Sequence, residues 1–249
     1  MKISVITATW NSQQTVADTL RSLDAQLYQD TEYLVIDGAS TDNTLDIVKS
    51  HGGRVDKLIS EPDQGIYDAL NKGIEAATGD IVGFLHSDDV YANNKVLAKI
   101  AEAFASTNVD AIYGDLDYVS KDENDRLVRH WKSHPFKRRK LRYGWMPPHP
   151  TFYMRTQLYR DLGGFDLRFK IAADYDSLLR YLWKNQITVG YIPEVLVKMR
   201  LGGASNRSIK NMIQKSREDC LAMNANGISP FIALPVKNLS KLPQFFKKS

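Results

Sequence analysis

The chain has 249 residues, 43% of them hydrophobic, and a formal net charge of +4. This length and composition predict one sizeable hydrophobic core with at most a small appendage. No run of roughly 18 apolar residues is present, which excludes a membrane-spanning helix, and the single cysteine, Cys220, excludes an internal disulfide framework.

Strands and helices alternate along the first half of the chain. Apolar runs predict five strands, at 2–9, 32–38, 56–63, 80–89 and 110–119. Helical spacing, with polar starts and glycine stops, predicts the four helices between them, near 16–27, 40–53, 64–79 and 93–107. Such alternation with short links is typical of parallel strands joined by right-handed crossovers. The predicted fold class is therefore α/β, with a mostly parallel sheet flanked by helices.

The second half of the chain is less regular. Residues 120–150 are polar, basic and interrupted by prolines, so we expect a long loop or a hairpin there. Further on, the pattern predicts a short helix ending at Gly163, a helix at 172–186, one bent strand or a strand pair at 187–200, and a last long helix from 209. We predict one domain at 1–205, followed by a C-terminal helix and a basic amphipathic tail at 206–249.

Polar residues follow each of the first four predicted strands. These groups are Thr7 to Asn11, Asp37 to Ser40, Ser60 with Glu61, and Ser87 to Asp89. In open parallel sheets, ligands bind outside the carboxyl ends of the strands. Any one of these polar groups could cap a helix, but four at one edge indicate a binding site.

The adjacent carboxylates Asp88 and Asp89 are the best candidates for metal ligands. Mg²⁺ and Mn²⁺ take carboxylate oxygens and complete their shells with water and substrate phosphates. A rival pair, Asp115 and Asp117, has literal D-x-D spacing within a predicted strand, where alternate residues share one face. The first pair is preferred because it follows a strand beside Asp37 and Glu61.

Phosphate-binding glycine loops are missing from the sequence. Neither GxxxxGK[ST] nor GxGxxG follows the first strand. This argues against P-loop kinases, NAD enzymes and sugar-nucleotide pyrophosphorylases. A phosphate ligand would therefore be held mainly by a metal and side chains.

Five segments together resemble bacterial family 2 glycosyltransferases of the GT-A fold, in the order and spacing of that family. They are "VITATWNSQQTVADTLRSL", "LVIDGASTDNT", "SEPDQGIYDALNKGI", "FLHSDD" and "GGFDLRFKIAADYDSLLR". The resemblance covers about residues 1 to 200, and it implies an inverting, metal-dependent sugar transfer from a nucleotide diphosphate sugar, with a UDP-sugar favoured. It also implies use in exopolysaccharide, O-antigen or colanic acid assembly.

The resemblance implies roles for individual residues. Asp174 would be the general base, with Asp176 as the alternative, and His149 would face the acceptor or the diphosphate. Asp88 and Asp89 would hold Mn²⁺ or Mg²⁺, with Asp89 as the more direct ligand. The implied nucleotide-sugar-binding residues are Thr7, Ala8, Asn11, Asp37, Glu61, Tyr67, Asn71, Asp88 and Arg200.

Basic residues are unevenly distributed along the chain. Residues 126–142 hold eight Lys or Arg side chains and no acid, and the tail from Lys237 holds four lysines and no acid. Mixed with aromatic residues, this composition favours peripheral contact with an anionic membrane. The resemblance implies an oligosaccharide or polyprenyl-diphosphate-linked acceptor, and we expect a cytoplasmic protein, peripheral on the inner face of the inner membrane.

Two other classes of function fit part of the sequence. A non-catalytic binder of nucleotide sugars or polyanions would share the fold without the activity. A nucleic-acid-binding protein would use the basic segment, but acidic strand ends repel a phosphate backbone and no nucleic-acid-binding motif is present. We therefore expect no nucleic-acid partner.

Overall fold

The computed structural model describes residues 1–51, 53–121, 125–201 and 209–239. Within them, nine strands form one sheet. The strands are β1 (Ile3–Thr9), β2 (Thr31–Asp37), β3 (Val55–Ser60), β4 (Ile81–Phe84), β5 (Val90–Tyr91), β6 (Ala111–Val119), β7 (Leu127–Trp131), β8 (Tyr153–Arg155) and β9 (Val189–Arg200).

The sheet is mixed, but most of its strands run in one direction. The strand order is β3-β2-β1-β4-β8-β6-β9-β5, and β7 forms a hairpin with β6. Strands β1 to β4 are parallel, β8 runs antiparallel to both β4 and β6, and β9 is parallel to β6. The carboxyl ends of β1 to β4, β6 and β9 therefore lie along the same edge of the sheet.

Helices cover both faces of this sheet. They are α1 (Val16–Asp24), α2 (Thr44–Ser50), α3 (Ile66–Ala76), α4 (Val96–Thr107), α5 (Thr156–Leu162), α6 (Ala173–Leu179), α7 (Ile209–Ala225) and α8 (Pro230–Leu239), with 3-10 turns at Arg138–Tyr143 and His149–Thr151. One core packs α3 and α5 to α8 against the sheet, and the other packs α1, α2 and α4. Alternate residues of the buried strands face the two cores, which explains their continuous apolar runs.

The structure corrects several details of the second half. The helix predicted at 172–186 consists of the α-helix α6, which ends at Leu179, followed directly by one π-helical turn at Arg180–Lys184. The helix from 209 is not the last one, because α8 follows and contacts both α7 and the turn Arg138–Tyr143. Buried residues of α7 and α8, such as Met223 and Ala233, belong to the same core as α6. None of the described helices is both long and apolar enough to cross a bilayer.

Candidate active site

Asp37 ties together the carboxyl ends of three strands. The carboxylate of this fully buried residue accepts hydrogen bonds from the hydroxyls of Thr9 (3.0 Å), Ser40 (2.5 Å) and Ser60 (2.8 Å), and from the backbone N–H of Ser40 (2.9 Å). Burial alone would raise the pKa of Asp37, but these hydrogen bonds outweigh it and the pKa is lowered. Asp37 therefore carries a negative charge that organises this edge of the sheet.

The loops after β1 and β2 are locked to each other beside Asp37. The backbone N–H of Asn11 donates to the Ser40 hydroxyl at 2.8 Å, and the Asn11 side chain accepts from the N–H of Thr41 at 2.9 Å. Both loops contain a residue with positive φ, Asn11 at 48° and Ala39 at 58°. Asn11 therefore shapes the rim of the site as well as lying on it.

Three residues near the end of β1 differ sharply in exposure. Thr7 is fully buried, and its hydroxyl donates to the carbonyl of Leu85 at 2.6 Å, while Ala8 is 7% exposed. Thr7 and Ala8, which were predicted to bind the nucleotide sugar, lie beneath the rim of the site and support it. Trp10, which the sequence analysis did not select, is 68% exposed at the same edge. The sequence feature that could have identified Trp10 is its position, as a large aromatic residue directly after a buried strand.

The turn after β4 gives the adjacent residues Asp88 and Asp89 different environments. Asp88 is partly exposed, whereas Asp89 is fully buried. Asp89 Oδ1 accepts from the backbone N–H of Arg200 at 3.3 Å, and its other oxygen has no hydrogen-bond partner among the described residues. Burial and the neighbouring Asp88 raise the pKa of Asp89 well above its usual range. Asp88 is therefore the accessible carboxylate and Asp89 the enclosed one, and direct contact of Asp89 with the metal stays a prediction.

Two histidines lie near these carboxylates: His86 interacts with Asp88 and Asp174, and His149 interacts with Asp174. The rings of His86 and His149 stack with centroids 6.4 Å apart, and Nδ1 of His86 is buried with no hydrogen-bond partner among the described residues. Burial lowers the pKa of His86, against the opposing effects of Asp88 and Asp174. Burial also lowers the pKa of His149 to about 4, opposed by Asp174 and reinforced by His86. Both imidazoles are thus neutral near pH 7, in a space flanked by two carboxylates.

Asp174 lies in the first turn of α6, at the open side of this cluster. Its Oδ1 accepts from the backbone N–H of Tyr175 at 2.8 Å and lies 3.4 Å from the hydroxyl of Tyr67. The same hydroxyl donates to the carbonyl of Ile171 at 2.9 Å. Tyr67, predicted to border the donor sugar, therefore holds the segment that presents Asp174.

Asp176 does not join this cluster. Two helical positions from Asp174, it projects from a different face of α6, is 5% exposed, and accepts from the side chain of Asn226 at 2.9 Å. Arg180 lies 3.7 Å from its second oxygen. The sequence could not distinguish the two aspartates, and the structure directs only Asp174 to the site.

Three other residues that were predicted to bind the nucleotide sugar have side chains that contact other residues of the protein. The side chain of Asn71 donates to the carbonyl of Phe165 at 2.8 Å and accepts from its N–H at 2.7 Å. Exposed Glu61 pairs with Lys72 at 2.8 Å. Arg200 makes ion pairs with Asp18 at 2.8 Å and Asp125 at 3.1 Å, so in this conformation its guanidinium is not available to a diphosphate. Residues 202–205, which follow Arg200 and Leu201, lie outside the described residues.

The rival carboxylate pair has its own partners. Asp115 accepts from the hydroxyl of Tyr191 and the backbone N–H of Ser133, both at 2.7 Å. Asp117 lies 2.6 Å from Nδ1 of His130 across the β6–β7 hairpin. The two aspartates do share one face, but their oxygens serve to hold the hairpin.

The residues at the end of β4 fit a divalent cation that also binds substrate phosphates. Among the described residues, no group of three or more His, Cys, Asp or Glu side chains is arranged to hold a metal alone. Mg²⁺ and Mn²⁺ do not require such a group, because one or two protein ligands suffice when phosphates complete the shell. Partly exposed Asp88 and the unpartnered Oδ2 of Asp89 offer such oxygen ligands.

Comparison with known proteins identifies the family. The sequence profile of glycosyl transferase family 2 matches residues 4–162. An uncharacterized glycosyltransferase of Mycobacterium tuberculosis is 35% identical over 181 residues, which cover 72% of this chain and 68% of that protein.

Solved structures show the same fold. The structure of residues 1–349 of Staphylococcus aureus TarS in complex with UDP has a TM-score of 0.69 and 22% identity, over 90% of this chain and 65% of that one. Glucosyl-3-phosphoglycerate synthase from Mycobacterium tuberculosis, in complex with Mn²⁺, UDP and phosphoglyceric acid, has a TM-score of 0.63 and 17% identity, over 91% of this chain and 80% of that one. These matches confirm the predicted GT-A fold. The chain belongs to glycosyl transferase family 2.

Proposed function

We propose that this protein transfers a sugar from a nucleotide diphosphate sugar to an acceptor hydroxyl, with inversion at the anomeric carbon. The observation that carries the proposal is that the charges of Asp88 and Asp174 both act on His86 at the carboxyl edge of the sheet. One carboxylate comes from the end of β4 and the other from the start of α6. Such a transfer needs a negative group on each side of the reacting carbon, one for a metal and one for a proton.

The donor would lie along the ends of β1, β2 and β4. Asp37 and the locked loops beside it form a rigid rim, and exposed Trp10 offers an aromatic face for a nucleobase. UDP is bound in the TarS complex and in the synthase complex, which supports UDP as the nucleotide. The donor sugar would then extend towards Asp88 and His86.

A divalent cation would be held by Asp88, with the unpartnered Oδ2 of Asp89 as a second oxygen ligand. The synthase complex contains Mn²⁺, which supports Mn²⁺ or Mg²⁺ here. When bound, such an ion neutralises the negative charge that builds up on the departing diphosphate. The Oδ1 atom of Asp89 would at the same time fix the end of β9, by accepting a hydrogen bond from the N–H of Arg200.

Asp174 would accept the proton of the attacking hydroxyl. Its carboxylate is partly exposed, the N–H of Tyr175 holds its orientation, and the Tyr67 hydroxyl lies 3.4 Å away. Neutral His149, next to His86 and packed against Phe84, closes the floor of the site and limits the entry of water. A fixed carboxylate opposite the leaving group is the geometry that an inverting transfer requires.

The acceptor would be an oligosaccharide or a polyprenyl-diphosphate-linked chain in cell-surface polysaccharide synthesis. The basic segment 126–142 supports an anionic acceptor or surface. We further propose a cytoplasmic protein that contacts the inner face of the membrane peripherally. Part of the predicted membrane-binding tail, residues 240–249, lies outside the described residues.

The test is nucleotide release from UDP-, GDP- and dTDP-sugars, with Mn²⁺ or Mg²⁺, by the protein and its Asp174→Asn variant. We expect one donor to be turned over and the variant to lose at least about a hundredfold in kcat, in line with the loss of a general base. Its affinity for the donor, measured by calorimetry, should stay the same. Asp176→Asn is the matched control, because it makes the same substitution on another face of α6.

Two results would contradict the proposal. If Asp174→Asn keeps full turnover, Asp174 is not the base. If a nucleotide sugar binds but neither protein turns it over with any acceptor, the protein is a non-catalytic nucleotide-sugar binder on the same fold.

A further inference from the structure

The outer side of α7 and α8 carries a cluster of exposed apolar side chains, here named the α7–α8 face. Its members, with their exposed fractions, are Met212 (60%), Ile213 (51%), Leu221 (59%) and Phe231 (89%). On α7, residues 213, 217 and 221 follow one another at intervals of four, so they share one side of the helix. Exposed apolar side chains that cluster in this way mark an interaction surface.

A shallow groove runs between the two helices on this side. Its volume is about 570 Å³, and it is lined by Met212, Ile213, Ser216, Arg217, Cys220 and Leu234. The lining is apolar apart from the hydroxyl of Ser216 and the guanidinium of Arg217. The groove therefore extends the apolar surface inward, between the exposed side chains.

The acidic residues of these helices are turned away from the α7–α8 face. Glu218 and Asp219 are the only acids between 209 and 239, and they are 7% and 2% exposed. Asp219 pairs with Lys237 at 2.9 Å, which places this lysine of the predicted basic tail inside the helix pair. Exposed charge on the outer face is thus positive, from Arg217.

A basic segment lies directly beside α8. The 3-10 turn Arg138–Tyr143 ends at Gly144, whose positive φ of 75° brings its backbone against α8. A Cβ atom at Gly144 would lie 2.5 Å from Cβ of Lys237 and 2.8 Å from the carbonyl oxygen of Ala233. The exposed side chains of this segment are cationic or aromatic: Lys137, Arg139, Arg142 and Tyr143.

We propose that the α7–α8 face, with the basic segment beside it, docks this protein onto an anionic lipid bilayer. Exposed Phe, Leu, Ile and Met side chains next to Arg and Lys match the two components of an interfacial membrane site, an apolar insert and attraction to anionic headgroups. A second copy of the chain fits less well, because a two-fold interface would bring identical basic segments together.

The docking surface is physically linked to the candidate active site. On the inner side of α7, the Glu218 carboxylate accepts from the N–H groups of Ile171 at 2.7 Å and Ala172 at 2.9 Å, just before α6 and Asp174. A bilayer on the outer side of α7 would thus hold a lipid-linked acceptor near the proposed base. This link to catalysis rests on the proposed sugar transfer, and the docking surface specifies the peripheral membrane contact that is proposed above.

Sedimentation of the full chain with vesicles tests the docking. We expect co-sedimentation with phosphatidylglycerol vesicles, much weaker binding to pure phosphatidylcholine vesicles, and loss of binding at high salt. Phe231→Ser and Leu221→Ser should each lower the partition coefficient by about tenfold, as expected for withdrawing a large apolar side chain from the interface. Leu27→Ser is the matched control, since Leu27 is 56% exposed on a loop outside this face.

A second pair of variants tests the charge component. Arg139→Gln combined with Arg142→Gln should weaken binding to phosphatidylglycerol vesicles by about thirtyfold, or about fivefold for each charge. Lys49→Gln combined with Lys57→Gln removes the same net charge from exposed positions on α2 and β3. This control should bind nearly as well as the parent protein.

Absence of sedimentation with phosphatidylglycerol vesicles would overturn the proposal. So would a dimer in analytical ultracentrifugation without lipid that Leu221→Ser disrupts, because the face would then belong to a second copy. Donor binding by calorimetry separates this result from the proposed function. Vesicle binding without donor binding would support docking and refute the transferase. Donor binding without vesicle binding would refute docking, and with it the proposed membrane contact, but not the transferase.

Discussion

Asp88 and Asp89 are neighbours in the sequence with opposite environments, which makes them a natural test of metal binding. We expect Asp88→Asn to weaken Mn²⁺-dependent binding of UDP by at least about tenfold, because it removes the accessible carboxylate ligand. Asp89→Asn should weaken Mn²⁺-dependent UDP binding less than Asp88→Asn does, since Asp89 is fully buried and binds the N–H of Arg200. The measurement is calorimetric titration of UDP with and without Mn²⁺. A larger loss in Asp89→Asn than in Asp88→Asn would reverse the assignment.

His149 should make folding stability depend on pH. Because burial lowers its pKa in the folded protein to about 4, the unfolded chain binds a proton on His149 at higher pH than the folded protein does. Stability from this residue is therefore complete above the unfolded pKa of about 6.5 and falls as the pH drops towards 4. Between pH 7 and pH 5 the expected loss is about 2 kcal/mol.

The variant His149→Phe isolates this effect. It keeps an aromatic ring against Phe84 and Phe165 but has no titrating group. Urea unfolding of both proteins at pH 7 and pH 5 should show a stability loss for the parent that exceeds that of the variant by about 2 kcal/mol. Equal losses would mean that His149 is protonated as easily when folded as when unfolded.

At the scale of residues, the sequence predicted which polar groups meet but not where they point. Parallel strands bring their carboxyl ends together, so the grouping of Asp37 with Asp88 followed from the chain order. The inward turn of Asp89 depends on contact with Arg200, 111 positions away along the chain. Likewise, Asp174 and Asp176 differ through Tyr67 and Asn226, contacts that local patterns do not contain.

At the scale of elements, α7 positions the start of α6 through Glu218. We expect Glu218→Ala to lower kcat by about tenfold or more with little change in KM for the donor, because Asp174 would lose its fixed orientation. The buried N–H of Ala172 would also lose its acceptor, at a cost of about 1–3 kcal/mol, and the part-buried N–H of Ile171 would lose the same acceptor at a smaller cost. Steady-state kinetics and urea unfolding measure the two effects.

The conservative variant Glu218→Gln separates positioning from charge. Its amide oxygen can still accept one or both N–H groups, so most of kcat should return even though the negative charge is gone. If Glu218→Gln is as slow as Glu218→Ala while remaining equally stable, Glu218 acts through its charge and the positioning role is refuted.

The regular elements were predictable from sequence and the short ones were not. Strands β1, β2 and β6 are long apolar runs, so their periodicity identified them. In contrast, β5 has two residues and β8 has three, too few for any repeat. Helix α8 contains Pro235, which disfavours a helix locally, and its buried contacts with α7 and the turn at Arg138–Tyr143 stabilise it.

At the scale of the whole molecule, β8 joins the parallel half of the sheet to the half that contains β6 and β9. Its Tyr153 is fully buried, and its hydroxyl lies 2.8 Å from that of Tyr91. The ring of Tyr153 packs over Gly83 of β4, where a Cβ atom would overlap with it. Gly83 is therefore required by close packing at the junction of the two halves.

Replacing Gly83 should weaken this junction and so destabilise the whole fold. We expect Gly83→Ala to lower the free energy of unfolding by about 1–3 kcal/mol, because the added methyl group displaces the Tyr153 ring from a packed core. Gly190→Ala, in β9, is the matched control, since its nearest atoms lie at an ordinary 3.4 Å. It should be neutral or slightly stabilising, as alanine loses less conformational entropy on folding. Urea unfolding compares the two, and equal stabilities would show that β4 and β8 can separate without cost to the core.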